Sequence, residues 1–257
     1  MNRIPFLMAI TAIISLWSCT KEEETPKFPS SVLALNFSAT GAGEELEFRK
    51  EFKDPLSRVL FVEFFKYYLS NVYLIDGSRS IKILDVALIT HFDATSSDPN
   101  AIQTSVYLDV DPGSYTALKI GIGLDAETNA TDPNDPSLEI GHPLSSDQNT
   151  HWGQWGNYKF IMLEGRWDNN ADGSPNAIYG YHTGFDEFYR EKTFEKTIVT
   201  TSNDTTHLKL NIEYNEIFFG NDTLDMAVDG TWHGTDTSYL DPARAISDNF
   251  IQTLTLE

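Results

Sequence analysis

Residues His142 to Gly184 read HPLSSDQNTHWGQWGNYKFIMLEGRWDNNADGSPNAIYGYHTG, and this stretch decides the class of fold. Two runs within it, Tyr158 to Arg166 and Ala177 to Thr183, are short, apolar and mixed with aromatic residues, and neither sustains a helical period. The connection between them, Gly165 to Asn176, is rich in Asp, Asn, Gly, Ser and Pro, the residues that form tight turns, so the whole reads as a hairpin-like pair of strands. The same stretch holds three of the six histidines and three of the five tryptophans. A structural hairpin has no need of that density, which makes the stretch the candidate site as well.

Runs of the same kind recur on both sides of it. Upstream they are Val32 to Phe37, Val59 to Lys66, Asn71 to Ile75, Ile81 to His91, Gln103 to Val110 and Tyr115 to Gly123. Downstream come Thr193 to Thr200, His207 to Tyr214, Leu224 to Val228 and Ile251 to Leu256. This pattern predicts an all-β chain, an irregular antiparallel β-sandwich with long loops and one or two short helices. One helix is expected from Asp241, where Asp as N-cap precedes Pro242 at the first helical position, and a single turn near Asn215 to Phe219. The acidic, proline-bearing segment Asp125 to Pro136 reads as an exposed loop. No internal repeat interrupts residues 31–257, which are expected to form a single domain.

The start of the chain carries an address. Met1-Asn2-Arg3 followed by the apolar stretch Ile4 to Trp17 has the form of a signal peptide over residues 1–18, too short to span a bilayer as a mature helix. Leu16-Trp17-Ser18-Cys19 resembles a bacterial lipobox, in which the cysteine after the cut is lipidated. Cys19 is the one cysteine present, so no internal disulfide is possible. Residues 19–30 are then an acidic, proline-punctuated tether, similar to the surface-export signal of Bacteroidetes lipoproteins. The expected product is an outer-membrane lipoprotein, facing the cell surface or the periplasm and held to the membrane by its lipid.

Composition limits the partners. With 38 acidic against 18 basic residues the net charge is −20, which repels a phosphate backbone, so nucleic acid is excluded as a partner. The same charge attracts cations. There is no Gly-x-Ser-x-Gly elbow, no cysteine nucleophile in the domain and no carboxylate pair with a fixed separation, so no enzyme activity is expected. Gly121-x-Gly123-x-x-Ala126 imitates a dinucleotide fingerprint, but the residues after it do not open the required helix.

The ordered set Trp152-Gly153, Asn157-Tyr158-Lys159-Phe160, Leu163-Glu164-Gly165 and Tyr181-His182-Thr183-Gly184 resembles the MbnP-like family of secreted copper-binding proteins. Tyr67-Tyr68-Leu69-Ser70-Asn71-Val72 with Asp76-Gly77, and Pro112-Gly113-Ser114-Tyr115 leading to Gly121-Ile122-Gly123-Leu124, agree with it in the same order. The resemblance implies copper bound through histidines and a tryptophan oxidised to kynurenine by a partner di-haem peroxidase. The chain departs from the family pattern at Trp152-Gly153-Gln154-Trp155 and Gly156-Asn157-Tyr158, where the family has Trp-x-Trp followed by Gly-Tyr.

On that reading His182, at the position of the family's His-x-Gly element, and His151 are copper ligands. His142 is a third ligand or a supporting partner, and Trp152 and then Trp155 are the candidates for oxidation. Neutral imidazole is the commonest transition-metal ligand, although a lone strand histidine is more often structural. The turn Asp168-x-Asn170-x-Asp172-Gly173 matches half of a calcium loop, but Tyr179 stands where the bidentate glutamate belongs, and a plain Asx turn is the stronger reading. The competing function is a surface adhesion module that presents Trp152, Trp155 and Tyr181 to a glycan or protein, with calcium stiffening the Asp168 turn.

Overall fold

The computed structural model describes residues 30–96, 102–153, 156–231 and 240–257. The signal segment, Cys19, nearly all of the tether and Trp155 lie outside the described residues. One sheet contains β1 (Ser31–Gly41), β2 (Glu44–Glu45), β6 (Ser105–Val110), β14 (Thr205–Glu213) and β15 (Thr255–Leu256). The other contains β3 (Phe52–Lys53), β4 (Val59–Asp76), β5 (Arg79–Asp93), β8 (Ala117–Ile122), β9 (His151–Trp152), β10 (Asn157–Trp167), β11 (Ala177–Gly184) and β12 (Arg190–Phe194). A ribbon pairs β7 (Gly113–Tyr115) with β13 (Ile198–Thr200). The helices are α1 (Ala126–Asn129), α2 (Tyr214–Phe219), α3 (Met226–Asp229) and α4 (Leu240–Thr253). The all-β sandwich read from the sequence is the observed class.

β4 organises the larger sheet. β5 runs along one edge of it, while β10 and β8 share the other edge, β10 pairing Leu60 to Tyr67 and β8 pairing Leu69 to Ile75. The sequence reads this segment as two strands, yet it is a single one of 18 residues. Tyr67, Tyr68, Leu69 and Ser70 are all buried, and burial on both faces erases the alternation by which a strand is recognised. Asn71 takes φ +49°, a left-handed conformation that Asn tolerates, and the ladders slip beside it. Its amide donates to Asp125 at 2.6 Å and to the Tyr189 hydroxyl at 3.2 Å, which fixes the bend.

The core lies between the sheets. Leu33, Leu35 and Phe37 of β1 alternate inward beside Leu208, Leu210 and Ile212 of β14, and each full side-chain burial contributes about 1.5–3 kcal/mol. β1 and β14 pair in parallel, Val32 against Thr205 through Thr40 against Glu213, a departure from the expected antiparallel arrangement. These strands lie at opposite ends of the domain, so no hairpin dictates their relative direction.

α4 closes one side of the core with Ala243, Ile246, Phe250 and Ile251 at three-to-four spacing, the Phe250 ring 4.8 Å from Tyr67. It starts one residue before Asp241, which with Pro242 lies in its first turn, and it spans 14 residues where a short helix was expected. That helix also claims the first half of Ile251 to Leu256, read as a strand; β15 keeps only Thr255–Leu256. Leu224 to Val228 is likewise not a strand, because the Asp225 carboxylate accepts from the Ala227 N–H and starts α3. Thr193 to Thr200 divides into β12 and β13, and Tyr115 to Gly123 into β7 and β8. The loop from Asp125 opens with one turn of helix, α1, capped by Asp125, and is therefore less irregular than its composition suggests. No helix among the described residues is long and apolar enough to cross a membrane.

Candidate functional site

β10 and β11 place His182 directly opposite Met162, while β4 and β5 continue the same row with Lys66 and Thr90. The neighbouring row carries Glu164, Phe64 and Asp93. Two bulges bring these side chains to one face. At His91 β5 gains a residue against β4, so that Thr90 and Asp93 share a face and the histidine turns into the core; at Phe160 β10 does the same for Lys159 and Met162. The result is a cleft of about 580 Å³ lined by Lys66, Asp93, Lys159, Met162, Glu164 and His182 among others.

A loop roofs the cleft, contributing Gly141, Asp147, Gln148 and Asn149 to its lining. Two buried tyrosines fasten that loop. The Tyr68 hydroxyl donates to the Pro143 carbonyl at 2.8 Å and meets the Thr150 hydroxyl at 2.6 Å, and the Tyr158 hydroxyl donates to the Leu144 carbonyl at 2.7 Å. Buried hydroxyls of this kind cost stability unless paired, so their pairing pins the roof to the sheet.

Inside the cleft the charges are mostly matched. His182 Nε2 lies 2.8 Å from Glu164 Oε1, and the imidazole is buried whereas the carboxylate is partly exposed. Lys66 Nζ is 2.6 Å from Asp93 Oδ2, both side chains under a tenth exposed, and it sits 4.8 Å from the centre of the Phe64 ring. Burial alone would raise the Asp93 carboxyl, but Lys66 and the hydroxyl and N–H of Thr95 outweigh it and hold the group below its ordinary range.

The other residues singled out by the sequence are dispersed. His142 is half-buried in the roof, and its Nδ1 accepts from the Leu144 N–H at 3.1 Å. His151 stands edge-on to Tyr158 with ring centres 4.7 Å apart, and its Nδ1 is buried with no hydrogen-bond partner among the described residues. Burial, the largest influence on it, lowers the affinity of that imidazole for a proton. Neither His142 nor His151 lines the cleft. Among the described residues no three His, Cys, Asp or Glu side chains are grouped as a metal would require.

Trp152 is buried, its ring 5.9 Å from Phe185, and it fills the space over Gly184, where an added Cβ would fall 2.3 Å from the indole. Tyr181 is fully buried too, its hydroxyl donating to the Gly230 carbonyl. Neither ring is presented at the surface as an adhesion module needs. Asp168 is buried, and its Oδ1 accepts from the N–H groups of Asn170 and Asp172 while its Oδ2 accepts from that of Gly173 at 2.8 Å. Asp172 Oδ1 accepts from the Ser174 N–H, and Asn170 donates to Asp172. The oxygens that calcium would need are thus turned onto the loop's own backbone, as in an Asx turn.

Met162, Glu164, Lys66, Asp93 and Lys159 were not singled out as site residues from the sequence, although Lys159 and Glu164 lie within the family-like motifs. A single lysine within VEFFKYYL was the available signal, since a charge in so apolar a strand must find a partner.

The MbnP family profile matches residues 30–236, most of the described chain and every element of the cleft. The chain belongs to the MbnP family. Among solved structures it is similar to MbnP from Methylosinus trichosporium, with 13% sequence identity, a TM-score of 0.53, and coverage of 76% of this chain and 80% of that one. At that identity the likeness concerns the fold. No curated protein matches the sequence.

Proposed function

We propose that this MbnP-family chain is a cell-envelope lipoprotein, anchored through Cys19 in the outer membrane, that binds copper for acquisition, storage or delivery and catalyses nothing. The observation that carries the reading is the placement of His182 in the wall of the cleft, with the Met162 thioether opposite it and the Glu164 carboxylate on its Nε2. A carboxylate on one ring nitrogen orients the imidazole and makes the other nitrogen a better ligand, and imidazole with thioether is a donor pair suited to copper. His151 fits the same role on different grounds, since a buried ring nitrogen without a partner is rare and its lowered proton affinity keeps it neutral. His142 is assigned a supporting place, its Nδ1 being engaged within the roof.

Trp152 is the candidate for oxidation to kynurenine by a di-haem peroxidase partner, with Trp155 second. Trp152 follows His151 directly and packs on Gly184, two residues from His182. The adhesion alternative loses its two described aromatic contacts to burial.

Copper content and intact mass, measured on protein from its native host and from a host without the peroxidase, test this reading. Bound copper in both, and the loss of one carbon with the gain of one oxygen only in the native sample, is the expected result. Copper-free protein from both hosts that also fails to take up added copper would refute it.

A further inference from the structure

Lys159 is the cation of the cleft that has no ion pair among the described residues, although Glu164 attracts it at longer range. Its Nζ donates to the Asn149 carbonyl at 3.3 Å, and no carboxylate among the described residues lies within ion-pair distance of it. The carboxylates around it are already engaged. Asp93 is paired with Lys66 and Thr95, and Glu164 with His182. Asp147 accepts from the Gly141 N–H, the Gln148 amide and the Ser145 hydroxyl. A half-buried ammonium in a protein of net charge −20 would be expected to attract one of 38 acidic side chains, yet the fold holds this one apart, facing an open volume.

That volume has two characters. Thr90, Gln103 and Gln148 line it with neutral groups able to donate hydrogen bonds, and the partly exposed Phe64, backed by the buried Leu88 and Met162, gives it an apolar side. At about 580 Å³ the cleft is the size of sites that take small organic molecules. We propose that the cleft binds a small amphipathic carboxylate, its anionic end on Lys159 Nζ and its hydrocarbon body against the partly exposed Phe64. Burial, the largest influence on the Lys159 amine, lowers its proton affinity, so an anion beside it gains a partner that water has already partly left. The anion would share the cleft with the proposed copper donors His182 and Met162, but Lys159 is not one of them, so the anion's binding is read on copper-free protein.

The test is calorimetric titration of the full mature chain, copper-free, with hexanoate, with hexanamide of nearly equal shape, and with hexylammonium. Hexanoate should bind with a Kd of about 1 mM or tighter, and the amide and the ammonium at least about tenfold more weakly. Lys159→Met, which keeps the stem and removes the charge, should lower hexanoate affinity by about tenfold or more, while Lys159→Arg should retain it. Thermal unfolding of each variant confirms that the fold persists. Equal binding of acid and amide, undiminished hexanoate binding by a folded Lys159→Met, or no heat of binding by the wild type up to about 10 mM would overturn the proposal.

Discussion

His91 is the residue whose chemistry is most at odds with its surroundings. It lies in the core, stacked 4.7 Å from the centre of the Phe65 ring, with Nε2 3.4 Å from the Tyr67 hydroxyl. Burial lowers its pKa from 6.5 to about 4. In the unfolded chain it protonates at the ordinary value, so below pH 6.5 the unfolded state binds more protons than the folded one and stability falls, until the folded histidine also titrates near pH 4. Full expression of that difference costs about 3 kcal/mol. Urea unfolding at pH 7 and pH 4 should show His91→Phe losing less stability on acidification than the wild type by about that amount. Parallel losses would mean that the imidazole titrates normally.

Asp168 illustrates the opposite case, a charge fully employed. Its carboxylate accepts three backbone N–H bonds of the loop, so Asp168→Ala should destabilise the protein by about 1–3 kcal/mol, and calcium or a chelator should leave the melting temperature of the wild type unchanged. A calcium-dependent rise in melting temperature would show that the loop rearranges to ligate the ion.

At the scale of the element, legibility came from turn residues more than from alternation, because β11 is buried on both faces from Tyr179 to Gly184. β10 and β11 declare themselves through turn residues on both sides and a hairpin register from Lys159 against Gly184 to Trp167 against Ala177. β4 conceals its length because its middle is buried on both faces. The segment from Ile251 misled for a different reason: Ile251, Leu254 and Leu256 suit an extended chain locally, and only the longer run from Ala243 reveals a helical stripe. The candidate site was legible as one histidine of the cleft and no more. Its other members reach the same face through bulges at His91 and Phe160, and a one-residue shift of register leaves no mark in composition.

The end of α4 yields a prediction at this scale. Lys192 of β12 donates to the carbonyls of Ile251 and Gln252 at 3.0 Å and of Leu254 at 2.7 Å, supplying the donors that a helix C-terminus lacks. Lys192→Met keeps the stem and removes these bonds, and should lower unfolding stability by about 1–2 kcal/mol in urea titration. An unchanged midpoint would show that water satisfies the carbonyls equally well.

For the molecule as a whole, the sandwich supplies a rigid sheet face, a roof pinned by Tyr68 and Tyr158, and between them a cleft that holds one imidazole, one thioether and an ammonium with no ion pair among the described residues. On the proposed copper reading the acidic exterior would raise the local concentration of cations, and the imidazole and thioether of the cleft would favour a soft one. The covering loop carries His142 and leads into His151, whereas His182 belongs to the sheet. The most direct measurement is a competition titration of Cu(I) into the wild type and His182→Ala, each confirmed folded by thermal unfolding. Loss of affinity by about 100-fold or more in the variant is the predicted result, and equal affinity in the two proteins would contradict a copper site built on His182.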